Sequence, residues 1–133
     1  KRLFGSSPSE QAQYARAWTV WENSLASVKS FGTSHIPSIE YAKAFARIEN
    51  HYFINRCFLK SNCQIIRDLH IIEKIPTIIV QGRLDMICPP ETAEKVHKSL
   101  FNSKLVMVRD AGHAMSEPDI SSELVHATNQ FKH

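Results

Sequence analysis

Glycine is scarce in this sequence. Its four glycines, Gly5, Gly32, Gly82 and Gly112, lie far apart. No pair of them brackets a serine as Gly-x-Ser-x-Gly, the elbow whose glycines permit the strained strand-to-helix turn beneath a nucleophile. A serine nucleophile of that kind is therefore absent from these 133 residues. Cysteine is also sparse: Cys57, Cys63 and Cys88 are odd in number and lack the paired spacing of a zinc site or a disulfide-stapled secreted module. A reducing, cytoplasmic setting is the simplest expectation. Long apolar runs are missing as well. Thr77 to Val80 is far too short to span a bilayer, and no basic-then-apolar leader opens the sequence, so membrane insertion is not expected. Charge of one sign is not concentrated anywhere. The formal charge is only +3, with basic residues scattered among acidic ones, which excludes the basic patch with interleaved aromatics that a nucleic-acid partner needs.

What remains is the ordinary balance of a globular domain, 43% hydrophobic and 22% charged, enough chain for one domain with a core. Lys1 is not an initiator methionine, so the sequence is expected to begin inside a longer reading frame or after a processing event. Ser7-Pro8-Ser9-Glu10 reads as an N-cap, a first helical proline and a capping-box glutamate. The helix that follows is expected over about residues 8 to 29, with Ala15, Trp18, Trp21, Leu25 and Val28 on its apolar face until Gly32 and Thr33. Pro37-Ser38 announces a second helix with Ala42, Phe45, Ile48, Tyr52 and Phe53 on one face, expected to run to about Phe58. Cys63 to Ile72 suits a short third helix.

From Lys74 the pattern changes. Thr77-Ile78-Ile79-Val80 has the β-branched character of a strand buried on both faces. A helix after Pro89-Pro90, a strand at Leu105 to Val108 and a helix begun at Pro118 follow it. Strand, helix, strand, helix implies a parallel pair joined by a crossover.

Catalytic groups in such sheets gather beyond the carboxyl ends of the strands. Asp85 follows the first strand and His113 the second. Acid and then histidine on consecutive strands is what a Ser, Asp, His triad leaves when its first member is removed. The imidazole takes the serine's proton, and the carboxylate fixes its tautomer. Taken singly, an Asp after a strand serves as a turn or cap residue and a loop His is simply exposed. Cys88 is no substitute nucleophile, since it lies three residues after Asp85 on the acid's own loop. Glu22 and Glu49 fall among apolar positions of their helices, which suggests a site for a positive group such as a substrate amine. The alternatives are pairing with Arg16 or Arg47, or a place at the wet edge of the stripe. The remaining histidines have no ligand spacing.

These residues carry a resemblance. Trp18 to Glu22 (Trp-Thr-Val-Trp-Glu), Phe45 to Phe53 (Phe-Ala-Arg-Ile-Glu-Asn-His-Tyr-Phe), Gln81 to Cys88 (Gln-Gly-Arg-Leu-Asp-Met-Ile-Cys) and Ala111 to Pro118 (Ala-Gly-His-Ala-Met-Ser-Glu-Pro) make the chain resemble proline iminopeptidases of the α/β-hydrolase class over nearly its whole length. The resemblance implies an α/β fold. Residues 1–74 would be part of a helical cap, and residues 75–133 the last parallel strands and helices of the hydrolase core. It implies Asp85 and His113 as triad acid and base, Glu22 and Glu49 as the positions holding a free amino terminus, and Ile87 and Cys88 as part of the wall around a proline ring, the last conferring sensitivity to thiol reagents. The implied reaction releases N-terminal proline from a peptide through an acyl-enzyme on the missing serine, with no metal or organic cofactor. The implied partners are that peptide substrate and the N-terminal half of the hydrolase core, supplied by another chain, by a swapped copy or by residues outside this sequence. The competing readings are another cap-bearing α/β-hydrolase, of esterase or epoxide hydrolase type, and a non-catalytic fragment or binding module on the same scaffold.

Overall fold

A computed structural model describes residues 2–28 and 37–132. The proposed interruption at Gly32 and Thr33 lies outside the described residues. Helix α1 spans Pro8–Ala26 and starts as its sequence dictates. The Ser7 hydroxyl accepts the Glu10 N–H at 3.4 Å, and the Ser7 carbonyl accepts the Gln11 N–H at 3.0 Å. It ends three residues before the expected limit. Helix α2 spans Ile39–Ile54, with the Ser38 hydroxyl accepting the Tyr41 N–H at 3.1 Å as its N-cap.

Helix α2 also stops short of the expected Phe58, for a backbone reason. Arg56, Cys57 and Phe58 all have positive φ, 52°, 53° and 58°, so the chain turns left-handed directly after Asn55. Three consecutive side-chain-bearing residues in that region cost about 1–2 kcal/mol each. Ring contacts offset part of it: Phe58 meets Tyr52 edge-on at 5.5 Å between centroids and His51 at 5.4 Å. The third helical segment divides into α3, Gln64–Asp68, and a 3-10 turn over Leu69–Ile72.

Two parallel strands follow, β1 over Thr77–Gly82 and β2 over Ser103–Val108, in register from Thr77 opposite Ser103 to Gly82 opposite Val108. Helix α4, Pro90–Ser99, is the crossover between them, and α5, Pro118–Asn129, closes the described chain. Both helices carry proline in the first turn, where its missing N–H is no loss.

The residues form two compact units. One comprises α1 as far as Ser24 together with α2 and the turn to Lys60. Its core is a contact of small residues, Ala15 with Ala42 and Ala46, flanked by Leu3 and Trp18. Arg47 ties this unit's first turn down, donating to the Leu3 carbonyl at 3.0 Å and to the Gln11 amide oxygen at 2.9 Å. The buried positions of α1 are Ala15, Thr19 and Glu22, whereas Trp21 is exposed. Of the expected apolar face, Ala15 and Trp18 therefore lie at the core and Trp21 does not, because the two helices approach closely at their alanines.

The second unit contains the last two residues of α1 and everything from Ser61 onward. Val108, Ala111 and Ile120 form its core, with Val80 and Leu124 packed against them. This is a partial α/β-hydrolase region: a parallel strand pair with a helical crossover and a following helix. Among the described residues no helix is long and apolar enough to cross a membrane.

Candidate active site

The site grows from the end of β1. Gly82, its last residue, is buried, and a Cβ there would lie 2.0 Å from the Gly112 carbonyl oxygen and 2.6 Å from that of Ala111. Only glycine lets the loop after β2 settle on the end of β1. Two backbone bonds fix that approach: the Arg83 N–H donates to the Val108 carbonyl at 2.8 Å, and the Leu84 N–H to the Ala111 carbonyl at 2.9 Å. The side chains three residues past β1 and five past β2 are thereby brought together.

Those side chains are Asp85 and His113. Nδ1 of His113 lies 3.0 Å from Oδ2 of Asp85. The carboxylate is 5% exposed and the imidazole 40%, so the acid is enclosed and the imidazole is open to solvent. Asp85 accepts three further hydrogen bonds. The N–H groups of Ile87 and Cys88 reach Oδ1 at 2.9 and 2.8 Å, and the Gln81 amide reaches Oδ2 at 3.1 Å. Burial alone pushes the Asp85 carboxyl up, but the Cys88 N–H, the His113 imidazole and the Ile87 N–H together outweigh it and hold the group below the usual carboxylate range. An ionised acceptor at Oδ2 keeps the imidazole proton on Nδ1, which leaves Nε2 as the nitrogen able to receive a proton.

Ile87 and Cys88 are thus part of the acid's own loop, held by their backbone N–H groups. Partial withdrawal from water, and after it the Asp85 charge, push the Cys88 thiol up, which favours the neutral thiol over the more nucleophilic thiolate. All three cysteines are free and exposed.

Glu22 and Glu49 lie in the other unit, on α1 and α2. Glu22 is buried, 7% exposed. Glu49 is half-buried and accepts the Trp18 indole N–H at Oε2, at 2.7 Å. Arg47, one of the two arginines named as alternative partners for these glutamates, donates to the Leu3 carbonyl and the Gln11 amide oxygen. Among the described residues no group of three His, Cys, Asp or Glu side chains is arranged to hold a metal ion.

Three contributors were not singled out from the sequence. Gln81 braces the acid and also donates to the Cys88 carbonyl at 3.1 Å; its signal was a polar residue closing a β-branched run. Glu117, 4% exposed, accepts the Gly112 N–H at 2.8 Å. The Ala26 carbonyl accepts the N–H groups of His113 and Ala114 at 2.9 and 2.7 Å. A backbone acceptor of that kind leaves no signature in residue identity.

A parallel strand pair that presents a hydrogen-bonded acid and histidine beyond its carboxyl ends defines the class as α/β-hydrolase. Residues 60–130 match the family described as TAP-like protein, and the chain belongs to it. Over nearly its whole length it is also homologous to proline iminopeptidases. It is 43% identical over 133 residues to a probable proline iminopeptidase of Leptolyngbya boryana, covering 98% of this chain and 41% of that protein. The proline iminopeptidase of Arabidopsis thaliana is 41% identical over 135 residues, with 99% and 35% covered. That of Xanthomonas citri is 38% identical over 134 residues, with 98% and 42% covered. The chain therefore spans well under half the length of these relatives.

Proposed function

We propose that these residues belong to a serine exopeptidase that releases proline from the amino terminus of peptides, with the nucleophilic serine supplied by residues outside this chain. The observation that carries the reading is the 3.0 Å contact between Asp85 and His113. In the proposed cycle, Nε2 of His113 removes the serine proton as the serine oxygen attacks the carbonyl carbon of the terminal proline residue. Asp85 keeps Nδ1 protonated and stabilises the imidazolium that forms. The imidazolium then protonates the departing peptide nitrogen, leaving a prolyl ester on the serine. Water, deprotonated by the same histidine, hydrolyses the ester and frees proline.

Glu22 and Glu49 supply the exopeptidase character in this scheme. Two carboxylates in largely enclosed surroundings favour a secondary ammonium, which only a chain end offers, whereas an internal amide gives nothing to offset their desolvation. Ile87 and Cys88 form part of the wall around the proline ring, and their tie to Asp85 Oδ1 links ring recognition and acid orientation in one loop. Residues 1–74 would then be cap and residues 75–133 core, in a cytoplasmic enzyme. Large exposed apolar side chains, among them Phe101 at 94% and Ile71 at 72%, support a further part of the protein covering these surfaces.

Selectivity tests the reading. In a polypeptide extended upstream to include the serine, a chromogenic proline amide should be cleaved. The N-acetylated proline amide should be cleaved at least about 100-fold less efficiently, because it lacks the ammonium. Equal turnover of the two, or hydrolysis of simple esters alone, would move the assignment to an esterase-type hydrolase.

A further inference from the structure

The acid of the pair is held by four hydrogen bonds, but the histidine sits on a loop that needs its own support. That support converges on Glu117. Its carboxylate oxygen Oε1 accepts the N–H of Gly112, the residue before His113, at 2.8 Å. Its own N–H donates to the Ala114 carbonyl at 3.0 Å, closing the turn that follows His113. Its carbonyl accepts the Ser121 N–H at 2.9 Å, inside the first turn of α5. One residue thus clasps the histidine loop from both sides and fastens it to a helix.

The fit around Gly112 is close. A Cβ there would meet Oε1 of Glu117 at 3.0 Å and the Ala26 carbonyl oxygen at 3.2 Å, and the Gly112 carbonyl occupies the space that a Cβ on Gly82 would need. At 4% exposure the Glu117 side chain is withdrawn from solvent, where an ionisable group is retained only when it meets donors. Nothing in the proposed chemistry uses this carboxylate. Its bond to a backbone amide constrains the direction in which the chain enters His113.

We propose that Glu117 is a positioning residue: by holding the Gly112 N–H it sets the orientation of the His113 backbone, and through it the alignment of the imidazole on Asp85. The role resides in the acceptor oxygen and the length of the side chain, not in the negative charge. The catalytic consequence rests on the acyl-transfer reading above, but the alignment itself does not. The Glu117→Gln change keeps an acceptor oxygen at the same reach, whereas Glu117→Asp keeps the charge and falls one methylene short.

The test compares Glu117→Gln and Glu117→Asp in the full-length polypeptide that carries these residues together with the serine. Two readouts are taken: kcat and KM for a proline amide, and the downfield proton resonance of the His113 Nδ1–H bonded to Asp85. Glu117→Gln is expected to stay within about twofold of wild type in both. Glu117→Asp is expected to fold, to lose about 10- to 100-fold in kcat with KM little changed, as misplacement of a reacting group does, and to broaden or lose the imidazole resonance. Wild-type kcat and an intact resonance in Glu117→Asp would overturn the proposal. A loss in Glu117→Gln as large as or larger than that in Glu117→Asp would overturn it too, because an acceptor oxygen at the same reach would then not suffice. If the wild-type protein cleaves no proline amide, the peptidase reading fails on its own, and the imidazole resonance alone decides whether Glu117 positions His113.

Discussion

Replacing Asp85 by asparagine is the most informative perturbation of this site, because the hydrogen-bond geometry forces a choice. Four donors converge on two carboxylate oxygens: Ile87 and Cys88 N–H on Oδ1, His113 Nδ1 and the Gln81 amide on Oδ2. Asparagine has one acceptor oxygen and one NH2. If the oxygen stays with the loop N–H groups, the NH2 faces Gln81 and His113. The imidazole must then accept at Nδ1, its proton moves to Nε2, and it can no longer take a proton from serine. If the amide turns round, the histidine keeps its tautomer but two loop N–H groups lose their acceptor. Leaving such groups unsatisfied costs about 1–3 kcal/mol each, so the first arrangement is favoured. The wrong tautomer in a triad lowers kcat by about 10⁴-fold, or roughly 5.5 kcal/mol in the barrier. In the polypeptide carrying the serine, Asp85→Asn should therefore lose about four decades of kcat for a proline amide while remaining folded. The same variant has a pH signature. The Asp85 carboxyl is held below its ordinary value in the fold, so its ionisation adds stability above the unfolded pKa of about 4, and that contribution disappears as pH falls through the lower folded value. The gap in thermal midpoint between wild type and Asp85→Asn should accordingly be full near neutrality and shrink below about pH 4. A folded Asp85→Asn protein within tenfold of wild-type kcat would refute the reasoning about the dyad.

Other outcomes follow from the same geometry. Gly82→Ala forces a Cβ to within 2.0 Å of a backbone oxygen, so chemical denaturation should show a loss of about 1–3 kcal/mol or more, the range for overpacked interiors. Alkylation of Cys88 by iodoacetamide, followed by mass spectrometry of the loop peptide, should climb with pH along a curve displaced to higher pH than that of a free cysteine, and Asp85→Asn should shift the curve back to lower pH by removing the neighbouring charge. Glu49→Gln keeps an acceptor for the Trp18 indole and so keeps the fold, but it should raise KM for a proline amide about tenfold or more, the value of a hydrogen bond to a charged group.

Much of this was legible in the residues, and the exceptions have physical causes. Helix starts were readable because Ser7, Pro8 and Ser38 act locally, through their own side chains, on the first turn. The strands were readable because Thr77 to Val80 and Leu105 to Val108 are apolar runs too short for helices. The acid and histidine could be paired because parallel strands bring their carboxyl ends to one edge. The end of α2 could not be read, since Arg56, Cys57 and Phe58 adopt a left-handed turn that none of them announces. The face expected for α1 held at Ala15 and Trp18 but not at Trp21 and Val28, which are exposed, because spacing alone does not reveal that the helix contact centres on Ala15 against Ala42 and Ala46. Gln81, Glu117 and the Ala26 carbonyl were missed because their work lies in tertiary hydrogen bonds between segments far apart in sequence or across a loop.

The central claim, that Asp85 and His113 are the acid and base of an acyl-transfer site completed by a serine outside this chain, is tested most directly by one comparison. Turnover of a chromogenic proline amide is measured for the 133-residue chain, for a polypeptide extended upstream through a nucleophile elbow, and for the extended polypeptide with His113→Ala. The account predicts turnover in the extended polypeptide only, lost when His113 is removed. Turnover by the 133-residue chain itself, or undiminished turnover in the folded His113→Ala protein, would contradict it.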